Sequence, residues 1–241
     1  MIYIETSMNK GLSIRLREGT KSSHRSAEST KLVWCMIKGY VDRLTYRKLL
    51  GNFYFVYSAM EEEMERHRQH PAIRPLYFPE LHRRTALEKD LAFYHDGPWK
   101  ERVAPTPAGD AYAEAIRAVS AREPALLVAH MYTRYLGDLS GGQILKTRVQ
   151  KAMGLAHGEG VAFYDFEEIP DGQAFKENYR RALDMLPVDD AVACKIVDES
   201  NAAFGYNTDL FNELEGDLAK GIGQERFEAL TRRDEAQGSM S

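Results

Sequence analysis

A chain of 241 residues that is 44% hydrophobic carries enough apolar side chain for one good core, and no shift in composition along it marks a second domain. A formal net charge of -4 argues against nucleic acid as the main partner, and no apolar run approaches the ~18 residues that a membrane span requires. Cys35 and Cys194 stand far apart with no CxxC pair, so neither a disulfide framework nor a zinc site is indicated.

Met1 to Lys10 lacks the charged start and long apolar run of a signal peptide, so an intracellular chain is expected. Ser13 is in position to cap a helix that runs to about Ser29. On it Arg17, Lys21, His24 and Glu28 follow one another at four, three and four residues, a narrow polar stripe. Two like charges one turn apart repel each other unless an anion lies between them, and a ligating histidine uses a nearby acceptor for its other nitrogen. Arg17 with Lys21 and His24 with Glu28 fit that description; a solvated basic face is the bland alternative.

A short apolar helix over Lys31 to Gly39 precedes a long one from Leu44 to about Arg68, with Phe53, Phe55, Val56, Tyr57, Met60 and Met64 expected inside. Glu61, Glu62, Glu63 and Glu65 read as a solvated face, and His67 and His70 as structural or exposed residues at the helix end. Pro71, Pro75 and Pro79 mark an irregular connection before a helix from Pro79 or Glu80 to about Tyr94, closed by His95-Asp-Gly-Pro98. Thr106-Pro107 has the form of an N-cap followed by proline, opening a helix over Ala108 to Ser120.

From Glu123 to Met153 the apolar spacing and the lack of internal proline beyond Pro124 predict one long helix. Gly137, Gly141 and Gly142 near its middle cost about 1 kcal/mol each against alanine. At 100° per residue Gly137, Asp138, Gly141 and Gly142 share a face with Arg134 and Leu145, so that face is bare backbone and one carboxylate. Close crossing of another helix explains the small residues; a flat ligand against the backbone, with water held by Asp138, also explains the carboxylate. Gly154 to Gly160 reads as a loop and Val161 to Phe166 as an extended segment too short for a sheet. Helices from about Gln173 to Leu186, Asp189 to about Lys220 and Gly221 to Thr231 complete the body. Lys176 and Arg180 form a second like-charged pair, and Phe204, Asn207 and Phe211 share a face. The expected organisation is all-α: one helical domain over residues 1–231 and a fraying tail over 232–241.

Other catalytic scaffolds are excluded by counting. None of the seven histidines follows a glutamate by three positions, as a di-iron carboxylate bundle requires, and no GxSxG elbow supports a serine hydrolase.

His24 with Ala27-Glu28, the run Leu126 to His130, and Thr133 to Gln143 (TRYLGDLSGGQ) resemble the haem oxygenase family, as do Tyr77-Phe-Pro-Glu80, Leu87 to Phe93 and Gly158-Glu-Gly160. The resemblance runs from about Leu16 to Leu214 and implies a helical fold that sandwiches haem b, both prosthetic group and substrate, between a proximal and a glycine-bent distal helix. It implies His24 as the ligand of the haem iron, Glu28 as its hydrogen-bond partner, and Asp138 as the distal catalytic residue acting through ordered water. Gly137, Gly141 and Gly142 would let the backbone approach the ring, Arg17, Lys21, Lys176, Arg180 and Tyr132 would hold the propionates, and Tyr57, Arg134, Asn207 and Phe204 would line the water network and pocket. Val33 and Trp34 depart from the family pattern, beside the proximal face, where a methionine and a basic residue are common.

The implied reaction opens haem with O2 and electrons to biliverdin, as its α isomer, releasing carbon monoxide and ferrous iron. The membrane-anchored extension of animal members is missing, so the resemblance points to a soluble bacterial, cyanobacterial or plastid-like member of the cytoplasm or stroma. A ferredoxin or soluble reductase is the expected donor and a biliverdin-using reductase a downstream partner. A haem carrier or sensor without turnover is the alternative reading, and Asp138 with its glycines separates the two.

Overall fold

The computed structural model describes residues 10–156 and 158–232, so the first nine residues and all but the start of the expected tail lie outside the described residues. Two 24-residue helices frame the molecule, α4 (Arg43–Arg66) and α10 (Asp190–Glu213), named within the order α1 (Leu12–Gly19), α2 (Lys21–Glu28), α3 (Lys31–Ile37), α5 (Arg84–His95), α6 (Pro107–Arg122), α7 (Leu127–Asp138), α8 (Gly141–Met153), α9 (Gly172–Asp184), α11 (Glu215–Ile222) and α12 (Gln224–Thr231). Each long helix starts on an aspartate cap. Asp42 accepts the Leu44 and Thr45 N–H groups at 2.9 and 3.0 Å, and Asp189 accepts that of Val192 at 2.8 Å.

α4 packs on α5 and α6, whereas α10 packs on α1, α2, α6 and α7. The buried stripe of α4 follows helical spacing through Tyr46, Leu50, Phe53, Tyr57, Met60 and Met64, while Phe55 is only half-buried against Tyr54. The acidic half of α4 departs from its expected solvated role. Glu62 and Glu65 are exposed, but Glu61 and Glu63 are buried. Glu61 accepts the Arg83 and Arg84 N–H groups at 2.6 and 3.3 Å, capping the start of α5, and Glu63 accepts the Ser120 hydroxyl at 2.7 Å.

Several predicted boundaries differ. The helix expected from Pro79 or Glu80 begins only at Arg84, Pro79–Leu81 forming a separate 3-10 turn. The first helix divides at Thr20, whose hydroxyl turns back to the Leu16 carbonyl at 2.7 Å. Ser13 does not cap it: the Ser13 N–H and hydroxyl are both taken by the Asp184 carboxylate, at 2.8 and 2.9 Å. The glycine-bearing helix begins as a 3-10 turn over Pro124–Leu126 and breaks at Ser140, whose φ of -113° and ψ of -84° are not helical. Residues 161–166 do not form one extended segment, although Asp165 itself has extended backbone. Their Ala162–Tyr164 part is a 3-10 turn, and no strand occurs among the described residues. The last long helix ends at Glu213, with α11 resuming after Leu214. The Thr106 cap is present: its hydroxyl oxygen accepts the Gly109 N–H at 3.4 Å.

Candidate functional site

Asp138 is the last residue of α7, 6% exposed, and it is not short of partners. Arg134, one turn earlier, donates to Asp138 Oδ1 at 3.1 Å, to the Tyr57 hydroxyl at 3.0 Å and to Asn207 Oδ1 at 2.6 Å. The Tyr57 hydroxyl donates in turn to Asp138 Oδ2. Asn207 passes the network on, donating to the Tyr112 hydroxyl at 3.2 Å. The guanidinium lies 4.4 Å from the Phe53 ring centroid, so its face is covered as well as its edge. Helices α4, α6, α7 and α10 each contribute one polar group or more, which fixes the carboxylate from several sides.

The electrostatics set two forces against each other. Burial raises the Asp138 pKa above the ordinary carboxylate value, while the Arg134 charge and the Tyr57 hydroxyl pull it back. Burial disfavours the Arg134 charge, but Asp138 and Tyr57 more than offset this and the guanidinium stays charged. Burial lifts Tyr57 well above the usual phenol range, so its proton remains on oxygen. Asp138 is therefore a buried carboxyl with both oxygens held by protein donors, which fixes its orientation.

The three glycines do different things. Gly142 is buried, and a methyl group there would sit 3.1 Å from Tyr164 Cδ1 and 3.7 Å from Asp138 Cβ. Gly137 and Gly141 are exposed, and a methyl group on either meets only open space. The four residues thus do not form one continuous face; the break at Ser140 turns Gly137 and Gly141 outward and leaves Asp138 and Gly142 inside.

The other wall is α2. His24 has its side chain 49% exposed, with Nδ1 3.3 Å from Glu28 Oε2 and the ring edge-on to Phe204 at 5.4 Å between centroids. Its Nε2 forms no hydrogen bond among the described residues. Both walls hang from α10, which packs against α2 and α7 and supplies Phe204 and Asn207 between them. Arg17, Lys21, Lys176 and Arg180 form no ion pair among the described residues. Tyr132, raised by burial, is pulled down by the Thr20 hydroxyl and by the charges of Arg180 and Arg17, so positive charge from α9 and α1 acts on one phenol. Lys176 Nζ reaches the Ser140 hydroxyl at 3.3 Å, placing it at the helix break.

These residues fit haem on three independent counts: a free imidazole nitrogen, unpaired cations for two carboxylates, and bare backbone beside open space for a flat ring. Val33 is buried, whereas Trp34 is 43% exposed and its indole N–H donates to the Leu230 carbonyl at 2.9 Å, tying α12 to α3. Tyr112 is the network member that the motif reading misses. It lies in α6, outside the segments that carry the resemblance, and its partner Asn207 is 95 residues away.

The sequence model of the family described as "Heme oxygenase" matches residues 10–213. Haem oxygenase 1 of Synechocystis sp. is 55% identical over 232 residues, covering 96% of each chain. Haem oxygenase 1 of Nostoc sp. is 53% identical over 226 residues, covering 94% of this chain and 95% of the relative. The crystal structure of Synechocystis haem oxygenase-2 in complex with haem and NO superposes with a TM-score of 0.91 at 43% identity, covering 93% of each chain. Family model, near-complete alignment and all-helical architecture agree, and the chain belongs to the haem oxygenase family.

Proposed function

We propose that this chain oxidatively opens haem to biliverdin, as the α isomer, releasing carbon monoxide and ferrous iron, with O2 as oxidant and electrons from a ferredoxin or a soluble reductase. The observation that carries this reading is the buried Asp138, held by Arg134 and Tyr57 at the end of a helix where Gly137 and Gly141 leave bare backbone facing open space on either side of it in sequence. Bound haem supplies the iron at which oxygen reacts and is itself the carbon skeleton that is opened.

The protein's own groups do the rest. His24 Nε2 holds the iron, with Glu28 fixing the ring through Nδ1. Arg17, Lys21, Lys176 and Arg180, with the Tyr132 hydroxyl, hold the propionates. Gly137 and Gly141 keep side chains out of the space the ring occupies. Asp138 orients water over the distal side and relays protons through it, and Arg134, Tyr57 and Asn207 keep that carboxylate aimed. Phe204 buttresses the His24 ring. A carrier or sensor needs His24 and the cations but has no use for a braced distal carboxylate. Among the described residues no helix is long and apolar enough to cross a membrane, in keeping with a donor and a biliverdin-consuming reductase met in the cytoplasm or stroma.

Haem titration followed by ascorbate in air tests the assignment. Wild type is expected to lose the haem band as a green pigment grows. Asp138→Leu should bind haem with near-wild-type affinity and leave the ring intact, and His24→Ala should retain some haem while losing the iron-histidine stretch in resonance Raman. Wild-type pigment yield from Asp138→Leu removes that residue from the mechanism.

A further inference from the structure

Asp90 belongs to α5, away from both walls of the cleft, and it is 1% exposed. Each of its carboxylate oxygens accepts one backbone N–H of the turn after α8: Oδ1 from Ala162 and Oδ2 from Phe163, both at 2.8 Å. A two-pronged anchor of this kind fixes a turn in rotation as well as in position. The same turn is gripped from its flanks. Tyr94, also on α5, donates to the Gly160 carbonyl at 3.0 Å, and Arg83 donates to the Asp165 carbonyl and lies 3.9 Å from the Phe166 ring centroid.

What the anchor holds is the back of the distal network. The Phe163 ring packs edge-on to Tyr57 at 5.5 Å and tilted on Phe53 at 5.3 Å, the two rings that flank the Arg134 guanidinium. The next side chain, Tyr164, fills the space over Gly142 beside Asp138, and its carbonyl accepts the Gln143 amide at 2.8 Å. Two consecutive side chains of one turn therefore brace Tyr57 and the glycine break. We infer that Asp90 is a positioning residue for the ring-opening reaction: by fixing residues 162–164 it holds Tyr57 and the start of α8 in the geometry that keeps Asp138 aimed. This rests on the distal role proposed for Asp138.

Asp90→Asn tests it, because an amide keeps one acceptor and turns a donor toward the second N–H. The full chain loaded with haem is expected to keep its affinity within about twofold while kcat falls by about 10- to 100-fold, since small misplacements of a catalytic group carry losses of that size. In the haem-free protein the Tyr57 hydroxyl proton, far downfield in NMR while it donates to Asp138, should shift upfield or disappear by exchange. Leu218→Ala, a buried change in α11, should leave that resonance in place and so controls for general destabilisation. Tyr94→Phe, which removes only the hydroxyl on Gly160, should move both readouts in the same direction by less. An Asp90→Asn protein with an unchanged Tyr57 resonance and unchanged kcat overturns the inference; so does a loss of kcat matched by Leu218→Ala. If Asp90→Asn fails to fold, Tyr94→Phe with both readouts unchanged overturns it. The resonance needs no turnover, so an inactive role for Asp138 would appear separately, as an active Asp138→Leu with the Asp90→Asn shift still present.

Discussion

Arg134 shows how much one side chain is asked to do. A buried guanidinium is stabilising only when nearly all of its donors and its partner charge are satisfied, and here three directional hydrogen bonds and the Phe53 face meet that demand. Arg180 is the contrasting case: exposed, without an ion pair among the described residues, its charge acting on Tyr132 together with that of Arg17. Its rigid fork suits a carboxylate better than the Lys176 ammonium does. Arg180→Glu is expected to keep turnover but yield a mixture of biliverdin isomers, because repulsion drives the propionates to another seat. Chromatography of the products decides, and a single unchanged isomer would show that the pocket walls alone orient the ring. At this scale the sequence is legible where function repeats at helical spacing, as in Arg17, Lys21, His24 and Glu28. It is opaque where a partner is remote: Glu61 and Glu63 look like surface charges until the Arg83 and Ser120 donors, 22 and 57 residues on, are brought to them.

Among the elements, the broken distal helix carries the most information. Periodicity continues across Ser140, so a pattern of apolar residues reads straight through the break; the glycines permit it but do not say where it falls. The turn at Ala162–Tyr164 is hidden because the distant Asp90 satisfies its backbone N–H groups, and the split at Thr20 because a single threonine whose hydroxyl adds a second bond to the Leu16 carbonyl leaves the polar stripe unchanged. The glycines nonetheless make separable predictions. Gly142→Ala forces a methyl into contact with Tyr164 and is expected to destabilise the haem-free protein by about 1–3 kcal/mol. Gly137→Ala, helical and facing open space, should stabilise it by about 0.5–1 kcal/mol while weakening haem binding. Thermal melts of the haem-free variants paired with haem titrations separate the two, and equal melting shifts in the same direction would contradict the assignment.

For the whole molecule, stability is tied to pH through the acidic residues that α4 and α5 bury. Burial pushes Glu61 from the ordinary 4.5 up to about 7, against the opposing Arg83 and Arg84 N–H groups, and Asp90 from 3.8 to about 6. A folded-state value above the unfolded one means that the folded protein holds the extra proton between the two. The Glu61 contribution is thus complete below pH 4.5 and lost as pH rises through about 7. The loss is about 3 kcal/mol. Glu61→Gln should flatten that fall, and urea unfolding of both proteins across this window measures it; parallel curves would mean that Glu61 titrates normally.

The two walls of the cleft are also unequally built. α7 buries ten of its residues, whereas α2 buries Ala27 alone and rests mainly on α10. The proximal wall has little core of its own, so haem seated as proposed would add contacts that α2 lacks. Here the occupant is also what the reaction consumes. On the proposed seating, each turnover removes the flat ring whose contacts had supported α2, so the proximal wall would be held less firmly around the product than around the substrate.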